Sequence, residues 1–135
     1  MKKILAIDFG TVRVGLAINQ ELWAEPYQII ANDEQLFDKL KEIIAEEQIE
    51  LILVGLSENV MAEQTKKFAA QLESEVDLPL KFTDETLSSA QVHHKLINSP
   101  MKKSRRQQPI DHYAAAEFLQ EWLEINQDQL EIDLD

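Results

Sequence analysis

The chain of 135 residues contains no cysteine, so it can form neither a disulfide nor a thiolate metal site of the zinc-finger kind. It has no apolar run near the ~20 residues that a membrane-spanning helix needs. The N-terminal lysines are followed by no signal-like apolar segment with a small-residue cleavage site. These absences predict a cytoplasmic protein with no membrane partner, and the length predicts one domain with a substantial core.

Positive charge is also scarce, because 13 basic residues stand against 25 acidic ones and give a net charge of −12. At the level of composition this argues against a nucleic-acid partner. The acids are unevenly distributed, however: from Asp111 to Asp135 there are eight acids and no base. One compact basic run precedes them, formed by Lys102, Lys103, Arg105 and Arg106. This run could bind a phosphate backbone or could be a solvated loop, and the sequence leaves both open.

The hydrophobic pattern predicts an α/β fold. Strands are expected near 3–8, 13–19, 22–31, 50–55 and 78–83, with helices near 33–47, 61–75, 86–97 and 111–125. Tight connections make the first three strands an antiparallel meander, and Pro26 makes the third an edge strand. The apolar run at 50–55 is typical of a central parallel strand, and Asn32 or Asp33 suits the N-cap of the first helix. We therefore expect a mixed five-stranded sheet with helices on both faces over residues 1–125, followed by an acidic tail at 126–135.

Acidic residues stand where this pattern places the ends of elements. Asp8 ends the first strand after four apolar residues, and desolvating an acid there is costly without a cation, a donor or a metal as partner. Asp84 and Glu85 follow a later strand, and Asp111 opens the last helix on the same stripe as Ala115. Glu85 and Asp111 would also suit ordinary roles at helix N-termini, one on the helix dipole and one as a cap.

Functional groups of open α/β sheets gather at the carboxyl ends of strands, so Asp8, Glu85 and Asp111 are predicted to share one groove. Carboxylates without histidine or cysteine suit a hard cation such as Mg²⁺ or Mn²⁺. Two such ions about 3.5–4 Å apart activate water and stabilise the leaving oxygen in phosphodiester hydrolysis. Arg13 could contact a phosphate there or could pair with an acid such as Asp8.

Four segments, taken in chain order, resemble the motifs of one protein family. They are Asp8-Phe9-Gly10 with Arg13, Gly15 and Ala17; Val54-Gly55-Leu56-Ser57; Asp84-Glu85-Thr86-Leu87-Ser88; and Asp111-His112-Tyr113-Ala114-Ala115-Ala116-Glu117-Phe118-Leu119-Gln120. Over nearly its whole length the chain resembles the YqgF family, also called RuvX, of pre-16S rRNA nucleases and Holliday junction resolvases. The resemblance implies a ribonuclease H-like fold and a nuclease acting on the precursor of small-subunit ribosomal RNA. It also implies that Asp8, Glu85 and Asp111 are the metal-binding catalytic acids.

Two alternative functions stay open. The family usually has a proline and an arginine where this chain has Ser57 and Thr86, which keeps a non-catalytic RNA- or ribosome-associated adaptor under consideration. The turn Asp8-Phe9-Gly10-Thr11 also resembles the phosphate-binding turn of the actin and sugar-kinase superfamily, although that arrangement needs two such domains. The sequence does not distinguish RNA from DNA, internal from terminal cleavage, or a monomer from a weak dimer.

Overall fold

The computed structural model describes residues 2–56, 61–84 and 111–126, of which Asp84, Asp111 and His112 are described by their backbone alone. Its elements are β1 (Ile4–Phe9), β2 (Arg13–Gln20), β3 (Trp23–Ala31), α1 (Leu36–Glu46), β4 (Leu51–Leu56), α2 (Met61–Glu75), β5 (Leu80–Asp84) and α3 (Asp111–Ile125). The strands form one sheet in the order β3-β2-β1-β4-β5. This confirms the five predicted strands and the edge position of β3. The helix predicted at 86–97 lies outside the described residues.

The sheet is mixed, as the sequence predicts. Strand β1 pairs with β2 antiparallel and with β4 parallel, while β2–β3 is antiparallel and β4–β5 is parallel. The carboxyl ends of β1, β4 and β5 therefore lie at the same edge of the sheet, which we call the carboxyl edge. The β2–β3 turn lies at the opposite edge, because β2 runs against β1.

Each face of the sheet carries its own hydrophobic core, because the central strands are apolar on both sides. On one face, Leu5 and Ile7 of β1 pack with α1 and α2, and the rings of Phe9 and Phe68 stack with their centroids 4.5 Å apart. On the other face, Ile4 and Ala6 pack with α3 through a set of fully buried residues: Ala115, Phe118, Leu119 and Leu123. We call this second side the α3 face. Helices thus cover both faces, as predicted.

The side chain of Asn19 fixes the edge of the sheet opposite the carboxyl edge. The Asn19 carboxamide, only 2% exposed, accepts a hydrogen bond from the Ile4 amide at 2.7 Å. Its Nδ2 donates to the carbonyls of Lys2 and Glu21, each at 2.9 Å. These bonds fix the pairing of β1 with β2 where β1 begins and β2 ends.

Gln120 fixes helix α3 against the same edge. Its Oε1 accepts a hydrogen bond from the Ala24 amide at 2.8 Å, and its Nε2 donates to the Leu22 carbonyl at 3.1 Å. Ala24 is the partner of Asn19 in the β2–β3 pairing. The C-terminal half of α3 is therefore held at the β2–β3 turn, and the helix runs from there back toward the carboxyl edge.

The start of α1 differs from the expectation. The helix begins at Leu36, with Gln35 at the N-cap position and no side chain capping it. Asp33 instead accepts a hydrogen bond from the Gln35 amide at 3.0 Å, which forms a turn before the helix. Asn32 is used elsewhere, since its Nδ2 donates to the Gly10 carbonyl at 2.7 Å. The capping prediction was wrong because both side chains bond to loop backbone.

An ion pair joins the two helices of the first face. Lys41 Nζ of α1 lies 2.9 Å from Glu75 Oε1 of α2. The hydrogen bond from Lys41 is the main cause that holds the pKa of Glu75 below its usual value. None of the described helices has the length and apolar character needed to cross a membrane.

Candidate active site

Asp8 lies at the carboxyl end of β1, on the α3 face. Side chains alternate along a strand, and Ile4 and Ala6 belong to the α3 core while Leu5 and Ile7 belong to the other. Asp8, next in this alternation after Ala6, therefore faces the α3 side and is partly buried. It is the charged residue that follows the buried Ile4 and Ala6 on this face of β1. The structure thus places Asp8 where the strand pattern predicts it.

Glycines flank Asp8 on both neighbouring strands. Gly15 of β2 is its direct partner in the antiparallel pair. On the other side the parallel register pairs Ile7 with Val54, so Gly55 of β4 stands level with Asp8. Neither glycine has a side chain, so Asp8 provides the single side chain of this row across β2, β1 and β4. Both glycines are themselves buried, whereas Asp8 is partly exposed.

The third glycine of the chain shapes the turn that follows Asp8. A Cβ added to Gly10 would lie 2.6 Å from the Arg13 carbonyl oxygen, closer than real Cβ contacts come. Asn32 holds this turn from the end of β3, because its side chain bonds to the Gly10 carbonyl and its amide donates to the Val12 carbonyl at 2.9 Å. All three glycines of the chain thus lie around the carboxyl end of β1. Their spacing in the sequence could not show this, because Gly55 reaches Asp8 only through the β1–β4 pairing.

The first turn of α3 reaches the level of Asp8. Gln120 is held at the level of Asn19, and Asn19 is about 13 Å from Gly15 along β2 at ~3.3 Å per residue. The nine residues back from Gln120 to Asp111 rise about 14 Å at 1.5 Å per residue. The two lengths agree, so the N-terminal end of α3 lies at about the level of the row that contains Asp8 along the strand direction. Ala115, one turn further along, is fully buried against the sheet.

Arg13 is the described member of the predicted substrate-binding set. It is exposed and opens β2 at the carboxyl edge. It alternates with Gly15 and Ala17, so it belongs to the α3 face, diagonally across from Asp8. Arg13 and Asp8 each have an interaction partner. This position permits the phosphate contact that the sequence suggests.

The remaining predicted site residues are not tested by the structure. Glu85 and the basic run of Lys102, Lys103, Arg105 and Arg106 lie outside the described residues. Asp111 is described by its backbone alone. Within the described ranges, no three His, Asp or Glu side chains are grouped so that they could hold a metal ion. The meeting of Asp8, Glu85 and Asp111 therefore stays a prediction.

Comparison with solved structures identifies the fold. The structure titled "T. thermophilus RuvC in complex with Holliday junction substrate" matches with a TM-score of 0.62 and 13% identity, over 95% of this chain and 97% of that one. A second, "Thermus thermophilus RuvC structure", matches with a TM-score of 0.56, over 93% of this chain and 96% of that one. The ribonuclease H-like fold implied by the sequence is thereby confirmed.

Comparison of sequences identifies the family. A protein of Maridesulfovibrio salexigens named "Putative pre-16S rRNA nuclease" is 37% identical over 131 residues, which cover 90% of this chain and 97% of that protein. A protein of the same name from a Geobacillus species is 35% identical, over 93% of this chain and 99% of its own length. The family model described as "RuvX: Holliday junction resolvase" matches residues 2–125. The chain belongs to the RuvX family, as its motifs predict.

Proposed function

We propose that this chain is a nuclease dependent on a divalent metal ion, and that it hydrolyses phosphodiester bonds in a ribosomal RNA precursor. The observation that carries the proposal is the setting of Asp8, a carboxylate between two glycines at the carboxyl edge of a ribonuclease H-like sheet. Membership of the RuvX family supports the reaction class. The residues of the nuclease domain are 1–125, and the acidic tail is 126–135.

Asp8, Glu85 and Asp111 are proposed as the metal-binding acids. Carboxylate oxygens are the ligands that Mg²⁺ and Mn²⁺ prefer, and the glycines level with Asp8 on β2 and β4 add no side chain beside it. When bound, such an ion lowers the pKa of a water molecule and stabilises charge on the leaving oxygen. The Asp8 carboxylate lies at the carboxyl end of β1, the central strand of the sheet. Glu85 directly follows β5 in the chain, and Asp111 is the first residue of α3.

The substrate would be held by positive charge at the carboxyl edge. Arg13 stands there on the same face as Asp8, and the basic run of Lys102, Lys103, Arg105 and Arg106 leads along the chain to Asp111. RNA is the preferred substrate, because the relatives named for pre-16S rRNA are 37% and 35% identical to this chain. The RuvC structure solved with a Holliday junction is only 13% identical. A cytoplasmic location follows from that substrate.

Metal binding to the folded state provides the first test. An ion at about 100 times its Kd stabilises a protein by about 2.7 kcal/mol. For a chain of 135 residues this is a rise in Tm of about 10 °C. We expect Mn²⁺ to raise the Tm of the wild type, and we expect Asp8→Asn to remove that rise while the fold persists. Glu42→Gln, which removes an exposed acid of α1, should respond as the wild type does.

Cleavage assays with Mn²⁺ complete the test. The wild type should cut an RNA that carries the precursor ends of small-subunit ribosomal RNA in preference to a four-way DNA junction, and Asp8→Asn should cut neither. A metal response that survives in Asp8→Asn would remove Asp8 from the site. A wild type that binds the RNA and leaves it intact under all metal conditions would favour the adaptor alternative over the nuclease.

A further inference from the structure

An open groove lies between the β2–β3 turn and the last turns of α3, at the edge of the sheet opposite the carboxyl edge. Leu22 and Trp23 line one side of it, and Gln120, Leu123 and Glu124 of α3 line the other. Its volume is about 240 Å³, which is below the ~300–1,000 Å³ of sites that hold small-molecule ligands. The groove therefore suits one or two side chains of a partner better than it suits a cofactor.

Hydrogen bonds hold the two sides of the groove together. The Gln120 carboxamide bonds to the Ala24 amide and to the Leu22 carbonyl. Its Nε2 also donates to Glu124 Oε1 at 3.4 Å. The groove is thus formed by contacts within the folded chain, and a partner would not have to order it on binding.

Trp23 presents a large apolar ring at this groove. The residue is 72% exposed, so its side chain contributes little to the core of the protein. Tryptophan is one of the residue types that dominate the binding energy of protein–protein contacts. The face of an indole ring also attracts the cationic ends of lysine and arginine side chains. The exposed ring is therefore suited to contact with a partner that is both apolar and basic.

Acidic side chains line and flank the groove. Glu124 lines it, and Glu117, Glu121 and Glu124 form one stripe along α3, at steps of four and three residues. Glu21 and Glu25 each lie two residues from the exposed tryptophan in the chain. None of the described residues that line the groove is basic. The local charge therefore favours a cationic partner.

The same charges argue against other occupants. A nucleic acid or an anionic membrane would be repelled, and two copies of this chain joined groove to groove would bring their acids together. Residues 127–135 carry four acids and no base, so they add charge of the same sign. An added β-strand would lack partners at this part of β3, because the Ala24 amide is bonded to Gln120 and Pro26 has no N–H.

We propose that this groove docks a basic segment of a partner protein, which inserts an apolar side chain beside Trp23 and sets lysine or arginine side chains against the acidic stripe of α3. The inference goes beyond the proposed function, because it uses no residue of the carboxyl edge. A partner held here would lie at the end of the sheet opposite Asp8 and would leave the carboxyl edge accessible to a substrate.

Fluorescence anisotropy with a labelled octapeptide tests the groove in the full chain. The probe is rich in lysine and arginine and carries two leucines, and a control probe has serines in their place. We expect the leucine probe to bind about tenfold more tightly than the control. Trp23→Ala should weaken binding of the leucine probe about tenfold or more. Phe82→Ala, which removes an exposed ring from β5 instead, should bind it as the wild type does.

A second pair of variants tests the charge. Glu124→Gln keeps an oxygen that can accept the bond from Gln120, so the groove should persist. It should weaken binding of the leucine probe about threefold and reduce the dependence of binding on salt. Glu42→Gln, which removes an exposed acid of α1, should have a smaller effect. All of these variants should keep the Tm rise caused by Mn²⁺, since none of them changes the proposed metal-binding acids.

The alternative occupants have their own outcomes. Absence of binding by the leucine probe, or equal binding to the wild type and to Trp23→Ala, would overturn the inference. A dimer in sedimentation equilibrium that Trp23→Ala abolishes would assign the groove to a second copy instead. Neutralising the basic run at 102–106, or changing Leu130, Ile132 and Leu134 to serine, tests segments of this chain. If either variant binds the probe at least tenfold more tightly than the wild type, that segment occupies the groove and the inference is wrong.

Discussion

Removal of the Asn19 carboxamide should destabilise the protein where β1 begins and β2 ends. Asn19→Ala deletes three hydrogen bonds, each with a net contribution of about 0.5–1.5 kcal/mol. It also leaves the amide of Ile4, a fully buried residue, without its acceptor. Together these losses should lower the free energy of unfolding by about 3 kcal/mol. Over 135 residues this corresponds to a Tm decrease of about 10 °C.

Loss of the Asn19 hydrogen bonds should also affect the position of Asp8, because these bonds help to fix the register of β1 against β2. Side chains alternate along a strand, so a slip of one residue between β1 and β2 would turn Asp8 from the α3 face to the opposite core. Weakened pairing at Asn19 should therefore also reduce the Tm rise caused by Mn²⁺.

Thermal unfolding of two variants checks this reasoning. Asn19→Asp keeps an acceptor for the Ile4 amide but turns a carboxylate oxygen toward the carbonyls of Lys2 and Glu21. The folded state should therefore raise the pKa of the introduced acid, so that folding takes up a proton. The Tm deficit of this variant relative to wild type should shrink as the pH falls from about 7.5 to about 5. An Asn19→Ala variant that melts within about 2 °C of wild type would refute the reasoning.

Two further outcomes follow from the anchoring of α3 and from the basic run. Gln120→Ala loses two partly buried hydrogen bonds and should lower the Tm by about 5 °C and weaken the Mn²⁺ response; Gln71→Ala, on the exposed surface of α2, should change neither. Neutralising the basic run of Lys102, Lys103, Arg105 and Arg106 should weaken RNA binding. It should also reduce the slope of the salt dependence of that binding by roughly one per lost phosphate contact. Hydrolysis of a short activated phosphodiester should persist, and an unchanged salt slope would direct the search to Arg13, Lys66 and Lys67.

Much of the fold could be predicted because its signals are local. The apolar runs of β1 and β4 indicate burial on both faces, and Pro26 indicates an edge strand since it cannot donate to a ladder. The spacing of Ala115 and Phe118 predicts the buried stripe of α3, and both are fully buried. The N-cap of α1 was predicted wrongly because the hydrogen-bond partner of Asn32 is distant in the chain. Asn32 bonds to Gly10, 22 positions away in the chain, and no local pattern reveals such a partner.

The candidate site shows the same division. Asp8 could be proposed as a site residue from the sequence alone, because an acid at the end of a buried strand needs a partner. The position of Gly55 level with Asp8 could not be predicted, since it depends on the pairing of β4 with β1. That register is set by contacts between strands more than 40 residues apart in the chain. The agreement between the rise of α3 and the length of β2 is likewise visible only once Gln120 is seen to bind the β2–β3 turn.

Helix α3 carries part of the net charge that argues against a nucleic-acid partner. Its described acids beyond Asp111 are Glu117, Glu121 and Glu124, which lie progressively farther along the helix toward the β2–β3 turn. At 1.5 Å per residue, Glu121 lies about 15 Å and Glu124 about 20 Å from Asp111. The Debye length is about 8 Å at physiological ionic strength, so charges at those distances are largely screened at the N-terminal end of α3. If the carboxyl edge binds a phosphate, as proposed, that phosphate would respond mainly to nearby groups such as Arg13 and the N-terminal end of α3, whose dipole favours anions.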